Sequence, residues 1–364
     1  MSGVFDSKRI SPVICGTSVA PSPVMDLRKF ADVSYILPVK AGAADRAGEL
    51  AEYLGWLSVA VTEVIVVDAS SADVFEKHNQ AWTPGVQHVA PFPHLVTPMG
   101  KVGNVLTGVQ LASCEKLIIA DDDVRYDRAS LERVATALDI ADVVRPQNFF
   151  HPTPWHARWD TARILLNRML GGDWPGTLGV RRSVLRATNG YDGNAMFENL
   201  ELVRTVVAAG GKESVIMSTY VLRTPSTESH FWSQRIRQAY DEFARPGRLL
   251  WQLALLPGLL ALAFTSHWLS LALFAFGSIL LAEAGRHRAG GSRIFPASAS
   301  LFAPAWLAER ALCSWLAIAS RVFFGGIRYR GTVLRLAANP VSVLRSRHRS
   351  MLDATQEPGR VPRG

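Results

Sequence analysis

Between Val33 and about Met217, short apolar runs alternate with stretches whose apolar residues recur at three- and four-residue spacing. The runs Val33-Leu37, Glu63-Val67, Gln87-Ala90, Lys116-Ala120 and Asp142-Arg145 predict strands. Helices are predicted over Ala44-Leu57, Gly103-Ser113, Ser130-Ala137 and Glu198-Ala209, the last closed by Gly210-Gly211 as a stop signal. Strands alternating with helices predict an α/β fold, a mostly parallel sheet flanked by helices. In such a sheet ligands bind beyond the carboxyl ends of the strands, so the residues just after each strand are the ones to read for chemistry.

From Leu249 to Gly285 the pattern changes, and His267 and Glu283 are the only ionisable side chains. One helix of that length would far exceed a hydrocarbon core of about 30 Å. Thr265-Ser266-His267 breaks it, which predicts two spans of about 249–265 and 268–285 with Trp251 and Trp268 as interfacial anchors. Arg245 and Arg248 precede the pair, and Arg286, Arg288 and Arg293 follow it, so both ends are expected on the cytoplasmic side. A third apolar stretch, about 294–320, contains Pro296, Pro304 and the adjacent Glu309-Arg310. A single crossing would put the Arg-rich tail outside, so an interfacial or re-entrant segment is expected there. A buried helical domain is the alternative for all three.

Charge sharpens this division. The chain of 364 residues carries a formal +8, and residues 321–364 hold nine arginines against Asp353 and Glu357. A basic segment directly after an apolar region suits anionic headgroups, and a nucleic-acid partner is not expected. The N-terminus lacks a continuous apolar signal, being broken by Lys8, Arg9, Pro12, Pro21 and Pro23. Cys15, Cys114 and Cys313 have no paired spacing and read as reduced thiols. The expected organisation is an irregular lead-in over 1–31, an α/β domain over 32–245, a membrane region over 246–330 and a basic tail over 331–364.

The strongest chemical signal is an apolar strand emptying into Asp121-Asp122-Asp123. Alternation along a strand would put Asp121 and Asp123 on one face, where two hard oxygen ligands can share one Mg²⁺ or Mn²⁺. A solvated acidic turn has the same sequence. Glu63-Val64-Ile65-Val66-Val67-Asp68 is a second strand ending in a carboxylate, which suits a base N–H, a ribose hydroxyl or a helix cap. Gly100-Lys101, followed by Gly103, Asn104 and Gly108, sets a cation and flexible backbone where a diphosphate can lie. GxxxxGK[ST] and GxGxxG are both absent, which argues against P-loop NTPases and Rossmann dehydrogenases. His230 precedes Gln234 and is a weaker candidate, while His151 and His156 read as loop residues.

The order of these pieces resembles glycosyltransferase family 2, which has the GT-A nucleotide-diphospho-sugar transferase fold. The match runs through Ile36-Leu37-Pro38-Val39, Val67-Asp68, Gly100-Lys101, Asp121-Asp122-Asp123-Val124, Gly179-Val180-Arg181-Arg182, Gly190-Tyr191-Asp192, Glu198-Asn199 and Gln234-Arg235-Ile236-Arg237-Gln238, over about residues 33–240. Gly325-Gly326-Ile327-Arg328-Tyr329-Arg330-Gly331 looks like the segment that follows the membrane region in membrane-anchored lipid glycosyltransferases of this family.

The resemblance implies roles. Pro38, Asp68, Lys101, Asp121, Asp122, Gln234 and Arg237 would bind the nucleotide sugar, Asp121 and Asp123 the metal, and Glu198 would be the general base with Glu201 in reserve. It implies an inverting, metal-dependent transfer of a sugar from a nucleoside diphosphate to a lipid hydroxyl, by a multi-pass cell-membrane protein with a cytoplasmic catalytic domain. Two positions depart from the pattern: Asn199 replaces the second acid beside Glu198, and Gln238 replaces the tryptophan of QxxRW. Asn199 keeps open a membrane-bound, non-catalytic nucleotide-sugar-binding partner. A sugar nucleotidyltransferase is a further alternative that leaves the membrane region unexplained. The enzymatic reading as a whole rests on Asp121 and Asp123 gripping a divalent ion, and it fails if they point away from any cleft or if an arginine salt bridge fills the space and leaves no room for an ion.

Overall fold

The computed structural model describes residues 30–40, 47–82 and 84–356. The lead-in, Cys15 and the first residues of the helix expected from Ala44 lie outside them. The chain begins with β1 (Phe30–Val39), α1 (Ala47–Ala60), β2 (Val61–Asp68), α2 (Ala72–Ala81), β3 (Gln87–Val89), α3 (Gly100–Leu111) and β4 (Lys116–Ala120). It continues through β5 (Val124–Arg125), α4 (Arg128–Ala137), β6 (Val143–Phe150), α5 (Trp155–Met169), β7 (Thr177–Arg181), α6 (Arg182–Ala187), α7 (Glu198–Ala208) and β8 (Glu213–Arg223). The short helices α8 (Glu228–Ser233) and α9 (Arg235–Tyr240) lead into the apolar helices α10 (Pro246–Phe264), α11 (Trp268–His287) and α12 (Ala303–Phe324). A small hairpin of β9 (Ile327–Tyr329) and β10 (Thr332–Leu334) precedes α13 (Val341–Gln356).

The eight-stranded sheet has the order β3-β2-β1-β4-β7-β6-β8-β5. It is mixed rather than mostly parallel. Strands β3, β2, β1 and β4 run parallel, β7 lies antiparallel between β4 and β6, β6 pairs β8 in parallel, and β5 closes the edge antiparallel to β8. The reversals come from β7 and β5, which the apolar pattern, as with β8, did not predict. Alternation along β1 divides the core: Tyr35 and Leu37 join Leu54, Val66 and Ile118 on one face, and Ile36 joins Ile65, Val105 and Leu117 on the other. Both faces are therefore covered, which explains why these strands read as nearly unbroken apolar runs.

Among the described residues, three helices are long and apolar enough to cross a membrane. Helices α10 and α11 match the two expected spans, and Ser266 at the break between them adopts a left-handed φ of 57°. Both keep apolar side chains outside the protein: Leu250 is 67% exposed, Leu269 74% and Phe264 84%. That outer surface argues against a buried helical domain. The basic end of α11 abuts the α/β body, where Arg288 donates to the Arg168 carbonyl and Arg168 to the Gly285 carbonyl. A 3₁₀ turn over Arg288–Arg293 precedes the 294–320 stretch, which itself becomes a 3₁₀ turn over Ala297–Phe302 followed by the continuous 22-residue helix α12. One stripe of α12, with Trp306, Leu307, Arg310, Ala311, Ser314 and Ala317, is buried against the protein.

The segment after α12 does not continue as a separate basic tail. Met196 and Phe197 donate backbone N–H bonds to Leu336 and Ala337, and Tyr240 donates to the Arg335 carbonyl. Helix α13 then packs beside α7, with Leu344 buried and Arg347 paired to Asp192 at 3.0 Å. Small residues at 337 and 338 and the amide of Asn339 let this segment dock where a more charged sequence would remain solvated.

Candidate active site

Parallel strands β1, β2 and β4 deliver Val39, Asp68 and Ala120 to one edge of the sheet. Helix α3 is tied to that edge by Asn104, whose amide donates to the carbonyls of Val39 and Val67 at 3.2 and 3.1 Å. The tie fixes Lys101, one turn earlier, above the end of β4. Its ammonium lies 2.5 Å from Asp121 Oδ1 and 2.6 Å from Glu198 Oε1, joining residues 97 positions apart in sequence. Burial lowers the lysine pKa, but the two carboxylates outweigh it and hold the group firmly protonated. For Asp121, burial raises the pKa, and the charges of Lys101 and Arg223 overcome this and hold the carboxylate ionised.

The acidic triplet is a turn, not a continuation of β4: Val124 N–H donates to the Asp121 carbonyl. Asp122 is exposed, while Asp121 and Asp123 both reach Arg223 through turn geometry and not through strand alternation. Between them lies Arg223, from the end of β8. Its Nε donates to Asp123 Oδ2 at 2.8 Å, and its Nη2 approaches Asp121 Oδ2 at 3.4 Å. The space expected for a shared ion therefore holds a guanidinium. One oxygen remains available: Asp123 Oδ1 is buried and has no hydrogen-bond partner. Gly176 closes this corner, because a Cβ there would lie 2.7 Å from Asp121 Oδ2 and 3.1 Å from Arg223 Cζ.

Asp121, Glu198, Asn199, Arg237 and Gln238 line one cavity of about 170 Å³. Asn199 donates to the Pro175 carbonyl, and Gln238 accepts from Arg310. Arg237 also lines an adjoining groove of about 770 Å³, where it meets Gln234, His230, Leu316, Phe324 and Tyr329. Burial lowers the His230 pKa, and the Arg237 charge adds to the effect. Gln234 thus faces the groove, and Pro38 stays in β1 opposite Val67.

Two expected site residues are committed elsewhere. Glu201 is fully buried, and both its oxygens accept from Asn339 at 2.7 Å, on the side of α7 that meets the C-terminal segment. The Asp68 carboxylate accepts from Ser70 N–H through Oδ1 and meets His78 Nδ1 and His88 Nε2 through Oδ2 at 2.6 and 3.2 Å. Burial raises its pKa, and the hydrogen bonds from His88, Ser70 and His78 outweigh burial and hold it well below the ordinary carboxylate range. Among the described residues, Asp68, His78 and His88 are also the one trio whose ligand atoms lie close enough to hold a metal ion.

Sequence reasoning passed over Arg223, Gly176, Trp174, Trp306 and Arg163, all at or around the cavity. Arg223 sits on a strand the pattern did not predict. Trp306 and Arg310 sit on α12, where Glu309-Arg310 was legible only as a polar interruption. Two tryptophans, Trp174 and Trp306, line the cavity despite the glutamine at 238.

No family model and no curated protein matches the chain. Among solved structures, it is similar to glucosyl-3-phosphoglycerate synthase from Mycobacterium tuberculosis in complex with Mn²⁺, uridine diphosphate and phosphoglyceric acid, at 17% identity and TM-score 0.39 over 57% of this chain and 76% of that one. It is similar to mannosyl-3-phosphoglycerate synthase from Rubrobacter xylanophilus at 15% identity and TM-score 0.38, over 56% and 70%. For S. aureus TarS the values are 16% and 0.37, over 58% and 40%. TM-scores below 0.5 leave the function of this chain to be argued from its own residues.

Proposed function

We propose that the chain is a GT-A-type inverting glycosyltransferase of the cell membrane, moving a sugar from a nucleoside diphosphate to a hydroxyl of a membrane lipid. The observation that carries the reading is the Lys101 bridge. It joins the acidic triplet after β4 to Glu198 on α7, beside Arg237, so that pieces read separately along the sequence meet at one cavity. The apolar helices next to that cavity support a lipid acceptor, and the arginines at 245, 248, 286 and 288 support a cytoplasmic face for the α/β body.

In the proposed reaction the acceptor oxygen attacks the anomeric carbon opposite the diphosphate. The carbon–oxygen bond to the diphosphate breaks, and its electron pair leaves with the phosphate. The hydroxyl proton passes to the Glu198 carboxylate. Lys101 and Arg223 face the charge that develops on the leaving group, and being fixed by ion pairs they need little reorganisation. Asp123 Oδ1, buried and without a hydrogen-bond partner, would be the first oxygen to hold Mg²⁺ or Mn²⁺, and Asp121, engaged by Lys101 and Arg223, would join it only if released from Arg223. Such an ion, when bound, neutralises the diphosphate.

Radiolabelled sugar nucleotides offered to membranes containing the protein should yield one labelled lipid. Asp123→Ala should lower that transfer by at least about 100-fold, on the scale of losing a transition-state charge contact, while circular dichroism stays unchanged. Full transfer by Asp123→Ala would overturn the assignment. Full transfer in EDTA by the unaltered protein would assign the diphosphate to Lys101 and Arg223 alone. The 2.6 Å hold of Lys101 on Glu198 favours a second reading, a nucleotide-sugar-binding partner without turnover, because a carboxylate oxygen engaged by an ammonium is not free to meet an acceptor hydroxyl. Binding of nucleoside diphosphates without transfer from any donor would select it.

A further inference from the structure

The cavity beside Glu198 is lined by six arginines, and most have an acidic partner. Arg163 pairs with Asp173, Arg223 with Asp121 and Asp123, and Arg245 and Arg248 both with Glu242. Arg310 differs. It is 2% exposed, its one hydrogen bond goes to the neutral amide oxygen of Gln238 at 3.2 Å, and its Nε and Nη1 are buried without partners. Trp306, one turn earlier on α12 and 3% exposed, likewise leaves Nε1 buried and unpartnered. Arg163 Nε and Arg245 Nε add two more unpaired donors from α5 and the start of α10.

A guanidinium in an apolar helix costs several kcal/mol unless charge and hydrogen bonds compensate it. Four side chains that line the cavity and carry unpaired donors suit a ligand that only accepts. The unpaired acceptors, Asp241 Oδ1, Glu242 Oε2 and, beside Arg310 in sequence, Glu309 Oε1, are fewer, and Glu242 is already shared by two arginines. At about 30 Å³ per water, the cavity of about 170 Å³ admits a few waters or a phosphate group.

We propose that this cavity binds a phosphate group of the acceptor, held by Arg310 and Trp306 beside the carboxylate that takes the acceptor proton. The acceptor is then a molecule with a phosphate next to its reacting hydroxyl, a narrower class than lipid alcohols at large. The role given to the phosphate rests on the transferase reading, but its binding can be measured without transfer.

The full chain in maltoside detergent is titrated separately with phosphatidic acid, with diacylglycerol as its phosphate-free counterpart, and with glycerol 3-phosphate, and binding is followed by thermal shift. Saturable binding of phosphatidic acid and none of diacylglycerol is expected. Arg310→Gln should weaken it at least about tenfold, as expected for losing a charged hydrogen-bond donor, and Arg310→Lys should restore some of the loss. Trp306→Phe, which keeps a ring and removes one N–H, should weaken it several-fold, and Arg349→Gln on α13 should leave it unchanged. Glycerol 3-phosphate binding as well as the lipid would support the site and assign it a soluble phosphate ester. Equal binding of diacylglycerol, or unchanged phosphatidic acid binding in a folded Arg310→Gln, would overturn it. Phosphate binding without sugar transfer from any donor leaves this site standing and removes the transferase reading. Sugar transfer with an acceptor KM indifferent to Arg310→Gln does the reverse.

Discussion

Asp241 shows how a single side chain makes the cavity depend on pH. Burial raises its pKa to about 7, with Glu198 and Glu242 reinforcing the effect and Arg237 and Arg245 opposing it. A carboxyl whose folded pKa exceeds its unfolded value contributes stability below the unfolded pKa and loses it as pH rises through the folded one. For Asp241 the contribution is complete below 3.8 and gone above about 7. Asp241→Asn removes the ionisation, so its apparent melting temperature in detergent should exceed the parent's by a few degrees at pH 8.5 and by clearly less at pH 5, the gap closing as pH approaches 3.8. Equal shifts at both pH values would show that Asp241 does not titrate in this window. Ionised Asp241 also adds negative charge to the arginine cavity, so phosphate affinity should fall between pH 6 and 8 in the parent and stay flatter in the variant.

Among the elements, the crossing of α11 over α5 ties the apolar helices most directly to the α/β body. A Cβ at Gly285 would lie 2.0 Å from the Leu165 carbonyl oxygen, whereas one at Gly277, on the same helix, meets nothing within 4 Å. Gly285→Ala must push the backbones of α11 and α5 away from each other and should destabilise by about 1–3 kcal/mol, the usual range for overpacking. Gly277→Ala gains helix propensity and should be neutral or stabilise by about 0.5–1 kcal/mol. Parallel denaturation of the two variants reads the difference, and equal behaviour would mean that the close approach is not real. These elements also mark what was legible. Strands β1, β2 and β4 and helices α10 and α11 were readable because burial on both sheet faces, or apolar residues on the exposed as well as the packed side of a helix, leaves an unbroken apolar record. Strands β7 and β8 were not: Thr177–Arg181 is five residues interrupted by Gly179, and its meaning depends on pairing β4 in reverse. Arg223 went unrecognised with β8, so the acidic triplet was legible and its counter-ion was not. The stripe of α12 was read as an interfacial face, because a helix that buries Trp306 and Arg310 against a protein has the same amphipathic pattern as one lying on a membrane.

At the scale of the molecule, the apolar helices are an excursion from the α/β body rather than an appendage. The chain leaves at α9, forms α10 to α12, and returns to hydrogen-bond along Met196 and Phe197 and to cover α7. The return completes the body chemically: Asn339 supplies both partners of the Glu201 carboxylate, whose pKa burial raises even so. Removing Asn339 would leave a buried carboxylate without donors, at a cost of about 1–3 kcal/mol or more. A chain ended at Arg245, the natural cut if the body were a separate domain over 32–245, should therefore fail to yield a monodisperse folded protein. A chain in which a flexible linker replaces 246–330 and 331–356 is kept should recover the far-ultraviolet spectrum and protease resistance of the body. Asn339→Ala in that linked chain should lose part of the recovery, because it removes the side-chain bond to Glu201 and keeps the backbone N–H bond, whereas the cut removes both. If the chain ended at Arg245 folds as well as the linked one, the C-terminal segment is a passenger, and α7, with Glu198 at its first turn, is held by the sheet alone.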